Sequence, residues 1–187
     1  MTFQNQKNVA LTKMNEMDKS KKGSIDTHAI SIIETINALE NYYTTSSCSG
    51  RIYFWQGDGK KCNTEWLKVS HELITKEFFN IQPQGTVWLK MEPFIIHIAC
   101  KDIDSANTLL QTAKEVFKKS SILSINRKTI IEIQGSDKVD MPFYEESTLV
   151  YTGNQESLMN LLNKKLQKSW DKVEILKKKI KTKTNVS

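Results

Sequence analysis

Apolar residues recur along this chain with two periods, and the switch between them marks its elements. Phe3, Ala10, Met14 and Met17 share one face at helical spacing, which predicts a first helix over about 3–17. Lys19 to Ser24 ends it with charge and Gly23. Asp26 is placed to cap a second helix whose buried stripe is Ala29, Ile32, Ile33, Ile36 and Leu39. The chain then reads as extended from Tyr43 to Trp55, with a hairpin-type turn over Gln56–Lys60. A strand is expected at Trp66–Ser70 and a short helix at Glu72–Phe79.

The clearest strand signal runs from Thr86 to Cys100. Val87, Leu89 and Met91 alternate with Trp88, Lys90 and Glu92. Pro93 has no N–H to give to a ladder and interrupts it. Phe94–Cys100 then resumes as an apolar run, the pattern of a strand buried on both faces. Asp104 is the expected cap of a third helix carrying Ala106, Leu109, Leu110, Ala113, Val116 and Phe117 inside. Further strands are expected at Lys128–Gln134 and Ser147–Tyr151. A long amphipathic helix over about 154–181 uses Leu158, Leu162, Leu166, Trp170, Val173 and Ile180, and leaves a disordered tail at 182–187. Helices and strands alternate irregularly, so the expected class is α+β with a mixed sheet. A length of 187 residues fits one domain over 1–187.

An apolar fraction of 39% supports a real core, yet no apolar run approaches the roughly 20 residues of a membrane span. The N-terminus has no apolar signal core, and a cytoplasmic protein is expected. The net charge is +6 and the pI near 9.1. The basic excess gathers at Lys164, Lys165, Lys168, Lys172, Lys177, Lys178, Lys179, Lys181 and Lys183. It serves either a polyanionic partner or a solvated helix face. Cys48, Cys62 and Cys100 are odd in number and form no CxxC pair, which argues against a disulfide framework and a zinc site; no metal is expected. There is no GxGxxG, P-loop or HExxH, and only seven glycines, so a nucleotide-cradling Rossmann loop is not expected.

Candidate chemistry concentrates in Thr44–Arg51, where five hydroxyls, one thiol, one glycine and one arginine fall within eight residues. Such a turn can offer N–H groups, hydroxyls and a cation to a small anionic or polar ligand, or it can be a polar edge strand satisfying its own backbone. Glu92 ends an apolar strand and is read either as a partly desolvated general base or as a lysine-paired carboxylate. His97 lies within Ile-Ile-His-Ile-Ala, the setting of a core histidine as much as of a catalytic one. Alternation puts Glu92 and His97 on opposite faces unless a bulge at Pro93 brings them together. His71 follows Ser70 at a strand end, where loops carry function. Cys48, close to Arg51, is either a thiol of depressed pKa or an ordinary buried one.

Four segments in this order and spacing resemble one family. They are Asp18-Lys-Ser-Lys-Lys-Gly-Ser-Ile-Asp26, Tyr43-Thr-Thr-Ser-Ser-Cys-Ser-Gly-Arg-Ile52, Ser70-His71 and Lys90-Met-Glu-Pro-Phe-Ile-Ile-His97. Together they resemble the tRNA wybutosine-synthesizing protein 3 family over roughly 18–142. That resemblance implies a barrel-like α+β sheet with flanking helices, not a Rossmann fold. It implies S-adenosylmethionine as donor and tRNA-Phe as partner, with methylation at N4 of the demethylwyosine-type base 3′ of the anticodon. Where the family carries Ser-Gly-Ile after the third helix, this chain has Ser120-Ser121-Ile122, which puts one backbone contact in question.

In that reading the proton on N4 goes to Glu92 first, Asp26 second, with His97 also a catalytic candidate. Ser46, Ser47, Cys48, Ser49, Gly50, Arg51 and His71 are assigned to the cofactor. Lys22, Lys90, Lys118, Lys119, Arg127, Lys168 and Lys172 are assigned to RNA phosphates, with Trp55 or Tyr43 available to stack on the base. Two other readings stay open: a non-catalytic RNA-binding protein, and a thiol enzyme pairing Cys48 with His71 or His97. The sequence leaves the oligomeric state open.

Overall fold

The computed structural model describes residues 2–15, 25–57 and 64–184. Within them the chain forms two compact units, each built on an antiparallel sheet. The first comprises residues 1–49, 94–136 and 170–187, and the second 50–93 and 137–169.

The first unit holds α1 (Phe3–Asn15), α2 (Thr27–Asn37), β1 (Tyr42–Cys48), β5 (Ile95–Cys100), α3 (Ile103–Lys114), β6 (Ser121–Ser124) and β7 (Thr129–Gln134). Its strands run in the order β1-β5-β7-β6. Alternation on β5 and β7 sends Ile96, Ile98, Ile131 and Ile133 to one face. There they meet Ala29, Ile32, Ile33 and Ile36 of α2, Ala106, Leu109, Leu110 and Ala113 of α3, and Val173, Leu176 and Ile180. Each of these large side chains removed from water is worth roughly 1.5–3 kcal/mol, so this layer dominates the unit's stability. The opposite face carries Tyr43, Ser46, His97 and Glu132, reached from α1 through the tilted ring pair Phe3–Tyr43.

The second unit holds β2 (Arg51–Gln56), β3 (Glu65–Ser70), β4 (Val87–Glu92), β8 (Val139–Glu145) and β9 (Thr148–Leu149), in the order β3-β2-β4-β8-β9. Ile52, Phe54, Val87, Leu89, Met91 and Phe143 point inward and are buried, with Phe78 and Phe79 packed on Phe54. The helix α4 spans Gln155–Thr184, with 155–169 counted in the second unit and 170–184 in the first. Its stripe of Leu158, Leu162, Leu166, Trp170, Val173 and Ile180 is buried as the periodicity requires.

The α+β class holds, and the detail differs from the sequence expectation. Among the described residues every strand pairing is antiparallel, and the strands form two sheets, neither closed into a barrel. The long extended stretch breaks at Ser49-Gly50, because Gly50 adopts φ +103°, a left-handed conformation suited to glycine. The strand signal over Thr86–Cys100 is interrupted at Pro93 as expected, but the strands on either side belong to different sheets. The helix expected at Glu72–Phe79 is a 3-10 turn over Lys76–Phe79 only. Asp102, not Asp104, caps α3, accepting from the Ser105 N–H at 2.7 Å. The turn at Gln56–Lys60 falls largely outside the described residues, as do Asp18, Lys22 and Cys62.

Candidate active site

Asp26 stands at the N-cap position of α2 but does not cap it. Its carboxylate turns to Ser49 instead: Oδ2 accepts from the Ser49 N–H at 2.9 Å and from its hydroxyl at 3.1 Å. Asp26 and Ser49 are both buried. The Ser49 carbonyl accepts from Trp170 Nε1 at 2.9 Å, and the Trp170 ring stacks on His28 at 3.5 Å between centroids. Ser49 therefore has its N–H, hydroxyl and carbonyl all fixed, and a buried carboxyl group is held beside it. Two donors on one oxygen are what a desolvated carboxylate needs to stay in place.

Ser46 and His97 face each other across β1 and β5, and His97 faces Glu132 across β5 and β7. Ser46 Oγ lies 2.8 Å from His97 Nδ1, and His97 Nε2 lies 2.8 Å from Glu132 Oε2. A carboxylate only accepts, so Nε2 carries a proton and donates it to Glu132; in the neutral ring Nδ1 then accepts from the Ser46 hydroxyl. A bulge in β1 between Thr44 and Ser46 sets this register. His97 is thus neither an inert core residue nor a partner of Cys48, because both ring nitrogens are engaged elsewhere.

Arg51 and Glu92 are register partners on β2 and β4. Glu92 Oε2 accepts from Arg51 Nε at 2.8 Å and pairs with Nη2 at 2.7 Å, while Oε1 accepts from the Tyr53 hydroxyl at 3.0 Å. The guanidinium carbon lies 5.0 Å from the Tyr53 ring centre and 4.6 Å from that of Trp66. Burial, and then the Glu92 charge, push the Tyr53 phenol well above the ordinary tyrosine range, so it stays a proton donor. Glu92 is held by arginine and tyrosine, not by lysine.

The bulge imagined at Pro93 does not bring Glu92 and His97 to one face. They belong to different sheets and have different partners. Ser47 is exposed and Cys48 half-buried at the end of β1; His71 is half-buried just past β3. Burial pushes the Cys100 thiol up to about 12, which makes it an unreactive core residue.

Of the residues assigned to RNA, Lys90 pairs with Asp140 at 2.9 Å and lies over the Trp55 ring at 5.0 Å. Lys118, Lys119 and Arg127 are exposed in turns of the first unit. Lys168 is exposed and 3.4 Å from Asp137, and Lys172 is half-buried. Tyr43 is only 1% exposed, so its ring offers no face to a base, whereas Trp55 is half-buried. Ser121 opens β6 in ordinary strand conformation, so its side chain costs the backbone nothing there. Sequence reasoning missed Glu132, Tyr53, Trp66 and Trp88. The alternation that names Arg51 and Lys90 would have named Tyr53 and Trp88 with them; Trp66 and Glu132 depend on a register that sequence does not supply.

Comparison with known proteins agrees with the motif reading. Residues 5–182 match the family model described as Methyltransferase TYW3. The chain is 34% identical to the tRNA(Phe) 7-((3-amino-3-carboxypropyl)-4-demethylwyosine(37)-N(4))-methyltransferase of Thermococcus sibiricus, over 94% of this chain and 96% of that one. It is 36% identical to the protein of the same name in Methanocaldococcus jannaschii, over 80% of this chain and 82% of that one. A solved Pyrococcus horikoshii protein superposes with a TM-score of 0.86 at 28% identity, covering 96% of both chains. The chain belongs to the methyltransferase family TYW3.

Proposed function

We propose that this protein methylates N4 of 7-(3-amino-3-carboxypropyl)-4-demethylwyosine in tRNA(Phe), with S-adenosylmethionine as donor. The observation that carries this reading is the family match over nearly the whole chain, with relatives named for that reaction. A methyltransferase needs a methyl donor. The residues present fit a polar, zwitterionic sulfonium donor: the Ser46 and Ser47 side chains are exposed near the end of β1. When bound, that donor supplies an electrophilic methyl group.

The chain's own work is then alignment, exclusion of water and removal of one proton. The geometry favours Asp26 over Glu92 as proton acceptor. Asp26 is buried and set by two donors of Ser49, whereas Glu92 is partly exposed and occupied on both oxygens by Arg51 and Tyr53. Glu92 accordingly positions Arg51, whose guanidinium is suited to bind a carboxylate or phosphate. His97, locked by Glu132, orients the Ser46 hydroxyl as a hydrogen-bonding group.

The test is single-turnover methylation of tRNA(Phe) carrying the demethylated base, together with calorimetric titration by S-adenosylmethionine. Methyl incorporation at N4 and saturable donor binding are expected. Folded protein that binds no donor and transfers no methyl, yet still binds tRNA, would return the function to that of a non-catalytic RNA binder.

A further inference from the structure

The outer face of the five-stranded sheet carries rows that the motif reading leaves unused. Register places Arg51 beside Glu92, Tyr53 beside Lys90, and Trp55 beside Trp88, with Asp140 and Pro142 continuing the last two rows onto β8. Trp66 joins from β3. Three of the chain's four tryptophans therefore lie on one sheet face. Trp66 is 42% exposed, and Trp55 and Trp88 are half-buried. The rings are nearly parallel in pairs: Tyr53 and Trp66 at 4.7 Å and 19°, Trp55 and Trp88 at 6.2 Å and 18°. A cation lies over each pair, Arg51 on the first and Lys90 on the second. Trp55 Nε1 is buried without an acceptor among the described residues.

The geometry points to this face as a stacking platform for single-stranded RNA, the nucleotides flanking the target base. The inference rests on the tRNA reading and adds the surface and the mode of recognition. Flat rings with cations over them suit nucleobases and the phosphates between them, and every base has a face to stack. The core of a protein–protein interface is depleted of charged residues, but this face interleaves two charged pairs with its rings, Arg51 with Glu92 and Lys90 with Asp140. The net charge of +6 favours a polyanion. From the Arg51 row to the Trp55 row is four residues along β2, roughly 14 Å, so the platform extends over several nucleotides. It leads from the row holding Trp55 to the row holding Arg51, itself a motif residue.

The probe is an unmodified anticodon stem–loop RNA, with a duplex RNA of equal length as control, and the readout is tryptophan emission. Trp170 is buried against His28, so it gives a background that stacking on the sheet does not reach. Binding of the stem–loop is expected to quench emission, and the duplex to bind more weakly. Trp66→Ala and Trp88→Ala are each expected to weaken stem–loop binding by about 5- to 150-fold, the loss of one stacked base. Trp66→Phe is expected to recover most of that loss. Melting curves confirm that the variants fold, and S-adenosylmethionine affinity in Trp88→Ala is expected to stay at the wild-type value. Unchanged RNA affinity in both folded alanine variants would overturn the platform, as would equal affinity for the duplex. A dimer that dissociates on Trp66→Ala in sedimentation would also overturn it, assigning the face to a second copy of the chain. Because the stem–loop assay needs no methyl transfer, an inactive protein that still shows quenching would refute the enzymatic reading and leave the platform standing.

Discussion

The two sheets bury one face each by the same rule and use the other face in opposite ways. In the four-stranded sheet the outer face is a chain of hydrogen bonds, Ser46 to His97 to Glu132, in which each group fixes the next. In the five-stranded sheet it is a set of aromatic planes bearing cations, Tyr53, Trp55, Trp66 and Trp88 with Arg51 and Lys90. A hydrogen-bonded ladder is directional and sets one geometry, which suits holding a small polar ligand. Stacked rings tolerate many partners in many orientations, which suits a strand of nucleotides. The difference teaches that alternation allocates residues to faces, while the identity of the outward residues assigns each face its chemistry.

The largest expected effect tests where the chemistry resides. Asp26→Asn keeps the size of the side chain and its hydrogen-bonding capacity but cannot take the proton. It is expected to lower the single-turnover rate by about 100- to 10,000-fold with donor affinity little changed. Glu92→Gln should act chiefly on thermal stability and on tRNA affinity through Arg51. A near-normal rate in folded Asp26→Asn, beside a collapsed rate in Glu92→Gln, would move the proton acceptor to the second unit and reverse the assignment.

A smaller effect tests the ladder. Glu132→Gln removes the charge that assists the His97 hydrogen bond while leaving an acceptor. The expected loss is about 1 kcal/mol, or roughly 2–4 °C in melting temperature. Nitrogen NMR should show mixed His97 tautomers where the parent protein shows the Nε2–H form. A single, unchanged tautomer would mean that Ser46 alone orients the ring.

How much of this was readable from sequence differs from element to element. The stripes of α2, α3 and α4 were legible because helical period needs only local spacing. The inward and outward sets of β4 were legible for the same reason at period two. Asp26 was legible as a residue of interest but not as a partner of Ser49, since a cap position 23 residues away in sequence says nothing of which donor wins. Glu92 and His97 are both singled out by the sequence, and the interruption at Pro93 is legible, yet that the strands on either side belong to different sheets is not, because Pro93 signals a break without saying where the chain goes next.

The smallest effect lies far from both outer faces. Lys179 and Lys183 each pair with Glu115, at 2.7 and 2.8 Å, and their hydrogen bonds and charges hold its carboxyl down to about 2. A folded-state pKa below the unfolded value gives stability that is fully present above about 4.5 and lost as pH falls toward 2. Because the carboxylate is solvent-exposed, the effect is slight and salt should screen it. Acid unfolding of Glu115→Gln, followed by circular dichroism at low and high salt, should show a slightly shallower loss between pH 4.5 and 2 at low salt only. An identical acid limb in both proteins would show that the two lysines find other partners.

By itself the sequence determined the helix faces, the inward residues of the central strands and the polar segment Thr44–Arg51, all of which rest on spacing along one chain. It also carried the motif order by which the family is recognised. Only the tertiary structure decided that Asp26 abandons its cap for Ser49, that His97 is locked by Glu132, that Glu92 anchors Arg51, and that three tryptophans share one face. The physical reason is register. A side chain's face follows from its own strand, but its partner follows from which strand lies alongside and at what offset, and that is settled by core packing and by the turns at Gly50 and Pro93.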